Sequence, residues 1–135
     1  MSVKMKLGLL VFGTIGSMLL EFVSCKTVHI VGDQLGWNIP TQQTFYDDWA
    51  KKKAFVVGDQ LVFQYHPGLN TVVMVNKEDY EHCSTRNVLH TYFKGNSSVT
   101  LEKVGDYYFF SSVGKHCEAG MKLHVTVTNP LKSSQ

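Results

Sequence analysis

The stretch Tyr107-Tyr-Phe-Phe-Ser-Ser-Val-Gly-Lys-His-Cys-Glu-Ala-Gly-Met121 joins a run of aromatic residues to a polar loop. Four successive bulky side chains at its start favour a central β-strand that is covered on both faces. The loop then places His116 five residues before Met121. An imidazole and a weak axial thioether are two donors of a type 1 copper centre, which also needs a second imidazole and a cysteine thiolate. The stretch therefore predicts a β protein with a loop that supplies two donors of such a centre but has Ser111 where its thiolate would be, five residues before His116.

The rest of the chain has the pattern of short β-strands. Segments 61–65 and 123–127 carry apolar side chains at every second position, which is typical of strands with one buried face. Only segments 45–50 and 77–82 have the pattern of short helical turns. We therefore predict an all-β protein, an antiparallel β-sandwich of six to eight strands.

The first 25 residues have the features of a secretory signal peptide. Two lysines precede an apolar run over 7–20, and this run is shorter than the roughly 20 residues of a membrane span. We predict cleavage after Cys25, and an N-terminal anchor or a lipoprotein signal are the less favoured alternatives. The mature chain is then a single domain over 26–128, without a transmembrane segment, followed by a short polar tail over 129–135.

Cleavage after Cys25 would leave two cysteines, Cys83 and Cys117, in an oxidising compartment. A disulfide between them is the favoured interpretation. The alternative is that Cys117 serves as a metal thiolate beside His116. Both remain open at the level of residue spacing.

Composition argues against several classes of function. The formal net charge is only +2, which gives no electrostatic basis for binding nucleic acid or acidic lipid. Ser111 and Ser112 lie close to His116 in the sequence, but no oxyanion motif or glycine elbow accompanies them. We therefore do not expect an enzyme.

Asn96 begins the sequon Asn96-Ser-Ser98 within a polar stretch. Such a stretch is typical of a surface loop, where a secreted chain can receive an N-linked glycan. We therefore predict glycosylation at Asn96.

The remaining histidines and tryptophans are predicted to have no shared site. The histidines are expected at surface or partly buried positions in different elements, and they are His29, His82, His90 and His124. Trp37 and Trp49 are expected to pack in the core rather than to line a ligand cleft, because aromatic rings dominate the cores of small sandwiches.

Nearly the whole mature chain resembles the phytocyanins, the plant cupredoxins. The motifs that carry the resemblance are Val31-Gly-Asp33, Gly36-Trp37, Trp49, Phe55–Phe63, Tyr80-Glu-His-Cys83, Gly105–Phe109, His116-Cys117 and Gly120–Leu123. The resemblance implies a secreted or surface-held, cupredoxin-like Greek-key sandwich with one disulfide, formed by Cys83 and Cys117. Some members of the family bind copper, and others, the early nodulin-like proteins, do not.

The same resemblance assigns the four positions at which the family holds copper. They fall on Asn70, Ser111, His116 and Met121, and two of these have departed from the histidine and cysteine of the pattern. We therefore expect no cofactor, with copper as the alternative. If copper binds, His116 and Met121 are its expected ligands, with His66 as a third donor in a weak site.

The resemblance implies an extracellular binding or signalling module, or one associated with the cell wall. Its partner would be a cell-wall glycan or a cell-surface protein, and the protein is expected to be a monomer in the apoplast or on the outer face of the plasma membrane. A copper-binding electron carrier of the blue-copper type is the alternative function. A structural protein whose partners bind elsewhere is a third.

Overall fold

The computed structural model describes residues 26–130, so the predicted signal peptide and most of the polar tail lie outside the described residues. The strands are β1 (Val28–Ile30), β2 (Phe55–Val56), β3 (Gln60–Phe63), β4 (Val72–Val75), β5 (His90–Tyr92), β6 (Ser97–Thr100), β7 (Gly105–Phe110) and β8 (Lys122–Thr128). A 3₁₀ turn (Asp33–Leu35) and two α-helices, α1 (Phe45–Lys51) and α2 (Lys77–His82), lie between them. Both helices form where the sequence predicted helical turns. No helix within 26–130 is long and apolar enough to cross a membrane.

The eight strands form two sheets, with the orders β1-β3-β6 and β2-β8-β7-β4-β5. The predicted β-sandwich is confirmed, with the largest number of strands expected. Four of the six pairings between the described strands are antiparallel, but β1 pairs with β3 and β2 pairs with β8 in parallel. A parallel pair needs a long crossover connection, and the segment between β1 and β3, which contains α1, supplies one. Alternation along a strand does not indicate the direction of its neighbour, so the sequence pattern did not indicate these two pairings.

Aromatic rings between the two sheets form the centre of the core. Trp37 is fully buried and meets Phe63 edge to face, with 4.9 Å between the ring centroids. The ring of Phe63 in turn packs against that of Phe109 in β7, with 5.3 Å between the ring centroids. Trp49 is buried as well, so the prediction that both tryptophans pack in the core is confirmed.

The hydroxyl of Tyr46 in α1 holds the chain that follows the 3₁₀ turn. It donates to the carbonyl oxygen of Gly36 at 2.6 Å, and it accepts a hydrogen bond from the N–H of Asn38 at 3.0 Å. Burial raises the pKa of Tyr46 to about 12, so the hydroxyl keeps the proton that it donates. These bonds place Trp37 and Asn38 at one end of the sandwich.

The two ends of the sandwich carry different side chains. Strand β7 begins at Gly105 and ends at Phe110. We call the end beyond Phe110 the pole, which includes Asn70, Ser111, His116 and Met121. The opposite end is called the base, and it includes Asp59 and the turn before β7.

Candidate functional site at the pole of the sandwich

Ser111 is the centre of the pole and is fully buried directly after β7. Its Oγ lies 3.0 Å from Nδ1 of His116 and accepts a hydrogen bond from the N–H of Thr71 at 3.3 Å. Its own N–H donates to the carbonyl oxygen of Met121 at 3.1 Å. A single serine therefore joins β7, the chain before β4 and the loop that carries the histidine.

Asn70 lies in the neighbouring loop and is also buried. Its side-chain Nδ2 donates to the carbonyl oxygen of Trp37 at 2.9 Å and to Oδ1 of Asn38 at 3.3 Å. A primary amide suits this place because it offers two donors on one nitrogen. The amide thereby links the loop before β4 to the chain that Tyr46 holds.

Met121 is fully buried and belongs to the main core cluster. The N–H of Met121 donates to the carbonyl oxygen of His116 at 2.9 Å, which closes the loop between them. Gly120 has φ +103°, and a Cβ atom there would lie 2.7 Å from Cα of Gln43. The loop can approach the segment before α1 this closely because residue 120 is glycine.

Cys83 and Cys117 form a disulfide, with an S–S distance of 2.06 Å. The disulfide implied by the resemblance is confirmed, and the alternative that Cys117 is a metal thiolate is wrong. Cys83 ends α2 in a left-handed conformation with φ +51°. The bond therefore fastens the loop that carries His116 to the end of a helix.

The chain is similar in fold and sequence to plant copper proteins and their relatives. The plastocyanin-like domain family matches residues 37–121. The chain belongs to the phytocyanin family. The curated relatives of this phytocyanin include early nodulin-like protein 15 of Arabidopsis thaliana, which is 35% identical over 92% of this chain and 71% of the relative. Stellacyanin of Toxicodendron vernicifluum is 36% identical over 76% of this chain and 97% of its own length.

Solved structures agree with this assignment. The structure of cucumber stellacyanin with Cu²⁺ has a TM-score of 0.70 and 35% identity, and the match covers 77% of this chain and 96% of that one. Cucumber basic protein, a blue copper protein, has a TM-score of 0.66 and 33% identity over 75% of this chain and 99% of its own. The predicted family and the cupredoxin-like fold class are confirmed.

The phytocyanin fold brings together the residues onto which the family resemblance placed the copper positions. Hydrogen bonds join Ser111 to His116 and to Met121, and Asn70 precedes the residue that donates to Ser111. His66 differs from these, because its side chain is exposed and makes no hydrogen bond to residues 26–130. Its carbonyl oxygen accepts from the N–H of Leu69 in a turn, at 3.2 Å. Within residues 26–130, no three or more His, Cys, Asp or Glu side chains cluster in a way that could hold a metal ion.

Sequence reasoning missed the role of Thr71 at the pole of this phytocyanin. Its hydroxyl bonds to Oγ of Ser112 at 2.8 Å and accepts from the N–H of Ser112 at the same distance. Its carbonyl oxygen accepts from Nε1 of Trp37 at 2.8 Å. Thr71 and Ser112 are 41 residues apart, so no local spacing could have indicated their contact.

The base holds a second histidine with a different partner. Nε2 of His29 lies 2.9 Å from Oδ2 of Asp59, and both side chains are buried. The expectation that His29 is a surface or partly buried residue is therefore corrected, because the side chain gains a buried carboxylate. Burial by itself would raise the pKa of Asp59, but hydrogen bonds from His29 and from the N–H groups of Thr27 and Val56 outweigh it and lower the pKa.

Proposed function

We propose that this phytocyanin is secreted and acts as an extracellular binding module rather than as a blue-copper electron carrier. The observation that carries the proposal is the set of hydrogen bonds at the pole. Oγ of Ser111 is hydrogen bonded to Nδ1 of His116 and accepts from the N–H of Thr71. The amide nitrogen of Asn70 donates to the carbonyl oxygen of Trp37. These bonds join the side chains of Ser111 and His116 to each other and the side chain of Asn70 to the nearby backbone.

The donor set does not fit a type 1 copper centre. Such a centre needs a thiolate and two imidazoles in one plane, whereas the four positions offer one imidazole, one thioether, one hydroxyl and one amide. A serine hydroxyl does not ionise near neutral pH and cannot replace the soft thiolate. Cys83 and Cys117, the cysteines among residues 26–130, are joined to each other.

The relatives support both sides of this choice. Early nodulin-like proteins 15 and 14 of Arabidopsis thaliana are 35% and 37% identical to the chain, and they favour the binding module. Stellacyanin and the blue copper protein of Pisum sativum, which is 41% identical over 77% of this chain, favour the electron carrier. The chemistry of residues 70 and 111 leads us to the binding module.

The pole also carries exposed apolar side chains that a ligand would cover. Leu69, which precedes Asn70, is 62% exposed, and Ile39, which follows Asn38, is 50% exposed. The side chains of the exposed Asn38 and the buried Asn70 are hydrogen bonded to each other, so each of these two apolar residues is next in sequence to one member of a polar pair. Exposed apolar groups with polar groups beside them are typical of recognition surfaces. We propose a cell-wall glycan or a loop of a cell-surface protein as the ligand.

Copper loading tests the loss of the metal centre. The disulfide-bonded protein is titrated with Cu²⁺, dialysed against a mild chelator, and examined by optical and spin-resonance spectroscopy with a metal count. We expect no intense thiolate-to-copper band and no retained copper. A retained metal ion with a reversible one-electron couple would overturn the proposal and favour the electron carrier.

The double variant Asn70→His/Ser111→Cys is the matched control for that titration. It restores the second imidazole and the thiolate on the same scaffold, beside His116 and Met121. We expect this variant to gain the intense charge-transfer band. If the variant stays colourless although its thiol is free and it is folded, the lack of colour in the wild type would no longer be due to residues 70 and 111.

A pair of variants with matched exposure tests the binding surface. Leu69 at the pole is 62% exposed and Val104 at the base is 58% exposed. Wild type, Leu69→Asp and Val104→Asp are applied to an array of plant cell-wall oligosaccharides and cross-linked to the surface of intact plant cells. We expect Leu69→Asp to lose at least tenfold in binding and Val104→Asp to keep it. Equal binding by both variants would show that the pole is not the binding site. If the wild type binds in neither assay, the result would favour a purely structural protein.

A further inference from the structure

Phe93 is an exposed aromatic residue for which the fold itself gives no reason. Its side chain is 59% exposed, and within residues 26–130 no ring contact involves it. Three residues later, the Asn96 side chain is also exposed and makes no hydrogen bond to the described part of the chain. An exposed phenyl ring is costly in water, so a group that covers the ring would stabilise the folded state.

Phe93 and Asn96 face the same surface region. Both line a shallow concavity of about 320 Å³, together with Thr91, Lys94 and Gly95. The loop between β5 and β6 that contains them crosses from the edge of one sheet to the edge of the other. A group attached to Asn96 would therefore be close to Phe93 and to both edge strands.

The shape of this loop is fixed by its neighbours. Gly95 has φ +82°, and a Cβ atom there would lie 2.9 Å from Cδ of Pro67 and 3.1 Å from the carbonyl oxygen of Tyr65. Ser97 is buried, and its hydroxyl lies 2.9 Å from the hydroxyl of Tyr65. Because contacts hold the loop on both sides of Asn96, the backbone position from which an attached group extends is restrained.

The sequon adds the chemistry of the attached group. Asn96 and Ser98 supply its amide and its hydroxyl, and both are exposed. The sugar that is joined to asparagine is N-acetylglucosamine, which has one face of C–H groups. Such a face packs against the π-face of an aromatic ring, because the ring is apolar and carries partial negative charge on its face.

We propose that Asn96 carries an N-linked glycan and that the first N-acetylglucosamine packs on the ring of Phe93. The proposal rests on the proposed secretion, since the transfer takes place in the secretory pathway. Nδ2 of Asn96 forms a bond to the anomeric carbon of a polyprenyl-diphosphate-linked oligosaccharide. The bond from that carbon to the diphosphate oxygen breaks, the polyprenyl diphosphate leaves, and one amide proton passes to a base of the transferase.

The packed sugar would also protect the sandwich edge. Strands β5 and β6 each lie at the end of a sheet, and exposed edge strands are sites at which protein chains pair and aggregate. A glycan fixed over Phe93 would block the approach of a second chain to both strands. We therefore expect the unglycosylated protein to aggregate faster than the glycosylated one.

The first experiment tests the modification itself. The full chain is expressed with its own leader in cells that keep their glycans in the high-mannose form, and the mass of the protein in the medium is measured before and after peptide N-glycosidase. We expect the enzyme to remove the mass of one glycan from wild type and none from Ser98→Ala. If the protein is retained inside the cell, the proposed secretion is wrong. The experiment is then repeated with a leader of known activity. Protein secreted without a glycan would overturn the site.

The second experiment tests the contact with Phe93. Peptide N-glycosidase removes the whole glycan, whereas an endoglycosidase leaves one N-acetylglucosamine. We expect complete removal to lower the melting temperature of wild type by about 4 °C and trimming to one sugar to leave it unchanged. In Phe93→Leu the loss on complete removal should fall below about 1 °C. Equal losses in wild type and Phe93→Leu would overturn the contact.

A spectroscopic measurement keeps the test independent of stability. Ring currents of Phe93 should shift the proton resonances of the first sugar in the wild type, and these shifts should disappear in Phe93→Leu. Leu89→Ala is the matched control, because Leu89 is 62% exposed and lies just before β5, whereas Phe93 lies just after it. Sugar resonances that are the same in wild type and Phe93→Leu would contradict the proposal.

Discussion

The two ends of the sandwich each hold a histidine with a hydrogen-bonded partner, and the partners differ. At the base, His29 meets the buried carboxylate of Asp59, which also accepts from the N–H groups of Thr27 and Val56. At the pole, His116 meets the neutral hydroxyl of Ser111. A buried charge with several donors fixes one geometry strongly, because each lost bond would leave the charge uncompensated. A hydrogen bond to an uncharged hydroxyl is expected to contribute less to the free energy of unfolding.

The largest predicted effect concerns the covalent link of the pole. Replacing both Cys83 and Cys117 with serine should lower the free energy of unfolding by about 4 kcal/mol, since the disulfide limits the entropy of the unfolded chain across a separation of 34 residues. Urea unfolding of the oxidised wild type and of the variant measures the difference. Reduced wild type should unfold like the variant. A loss below about 1 kcal/mol would mean that the pole keeps its structure without the link.

The next prediction compares a buried histidine–aspartate pair with an exposed one that has the same distance between nitrogen and oxygen. Nε2 of His124 lies 2.9 Å from Oδ1 of Asp106, as Nε2 of His29 does from Asp59, but the Asp106 side chain is 49% exposed and that of Asp59 is 1% exposed. Asp59→Ala should cost about 3 kcal/mol, whereas Asp106→Ala should cost less than about 0.5 kcal/mol. If thermal or urea unfolding shows that the two variants lose equal amounts of stability, burial does not explain the strength of the pair at the base.

Acid should weaken the base through the same carboxylate. The pKa of Asp59 is lowered in the folded protein from its ordinary value of 3.8, so the unfolded state binds a proton first as the pH falls. The contribution of Asp59 is present above that ordinary value and is lost as the pH falls through the lower folded pKa. Urea midpoints measured below about pH 4 should therefore fall for wild type and change less for Asp59→Ala. A parallel decline of both proteins would contradict this assignment.

The smallest effect is expected at the pole. Ser111→Ala removes the acceptor for the N–H of Thr71 and the partner of His116, and it should cost about 1 kcal/mol. The resonances of the His116 ring should shift, while those of His29 stay unchanged. A loss as large as that of Asp59→Ala would mean that the pole is as rigidly determined as the base.

Sequence reasoning predicted the parts of the molecule that depend on local pattern. Alternation over 61–65 and 123–127 predicted strands because a strand with one buried face imposes a period of two. The pairing of His29 with Asp59 lies across 30 residues, and no periodicity encodes a contact between distant polar residues. Family resemblance located the pole, but the hydrogen bond between Ser111 and His116 depends on how the loop closes.

The indole of Trp37 connects the core to the pole. Its Nε1 donates to the carbonyl oxygen of Thr71, and the N–H of Thr71 donates to Ser111. A ligand that moves this loop would change the polarity around the indole, whereas Trp49 lies on α1. The protein therefore contains its own optical reporter: the emission of Trp37, measured in a Trp49→Phe background, should follow occupancy of the pole without any added label.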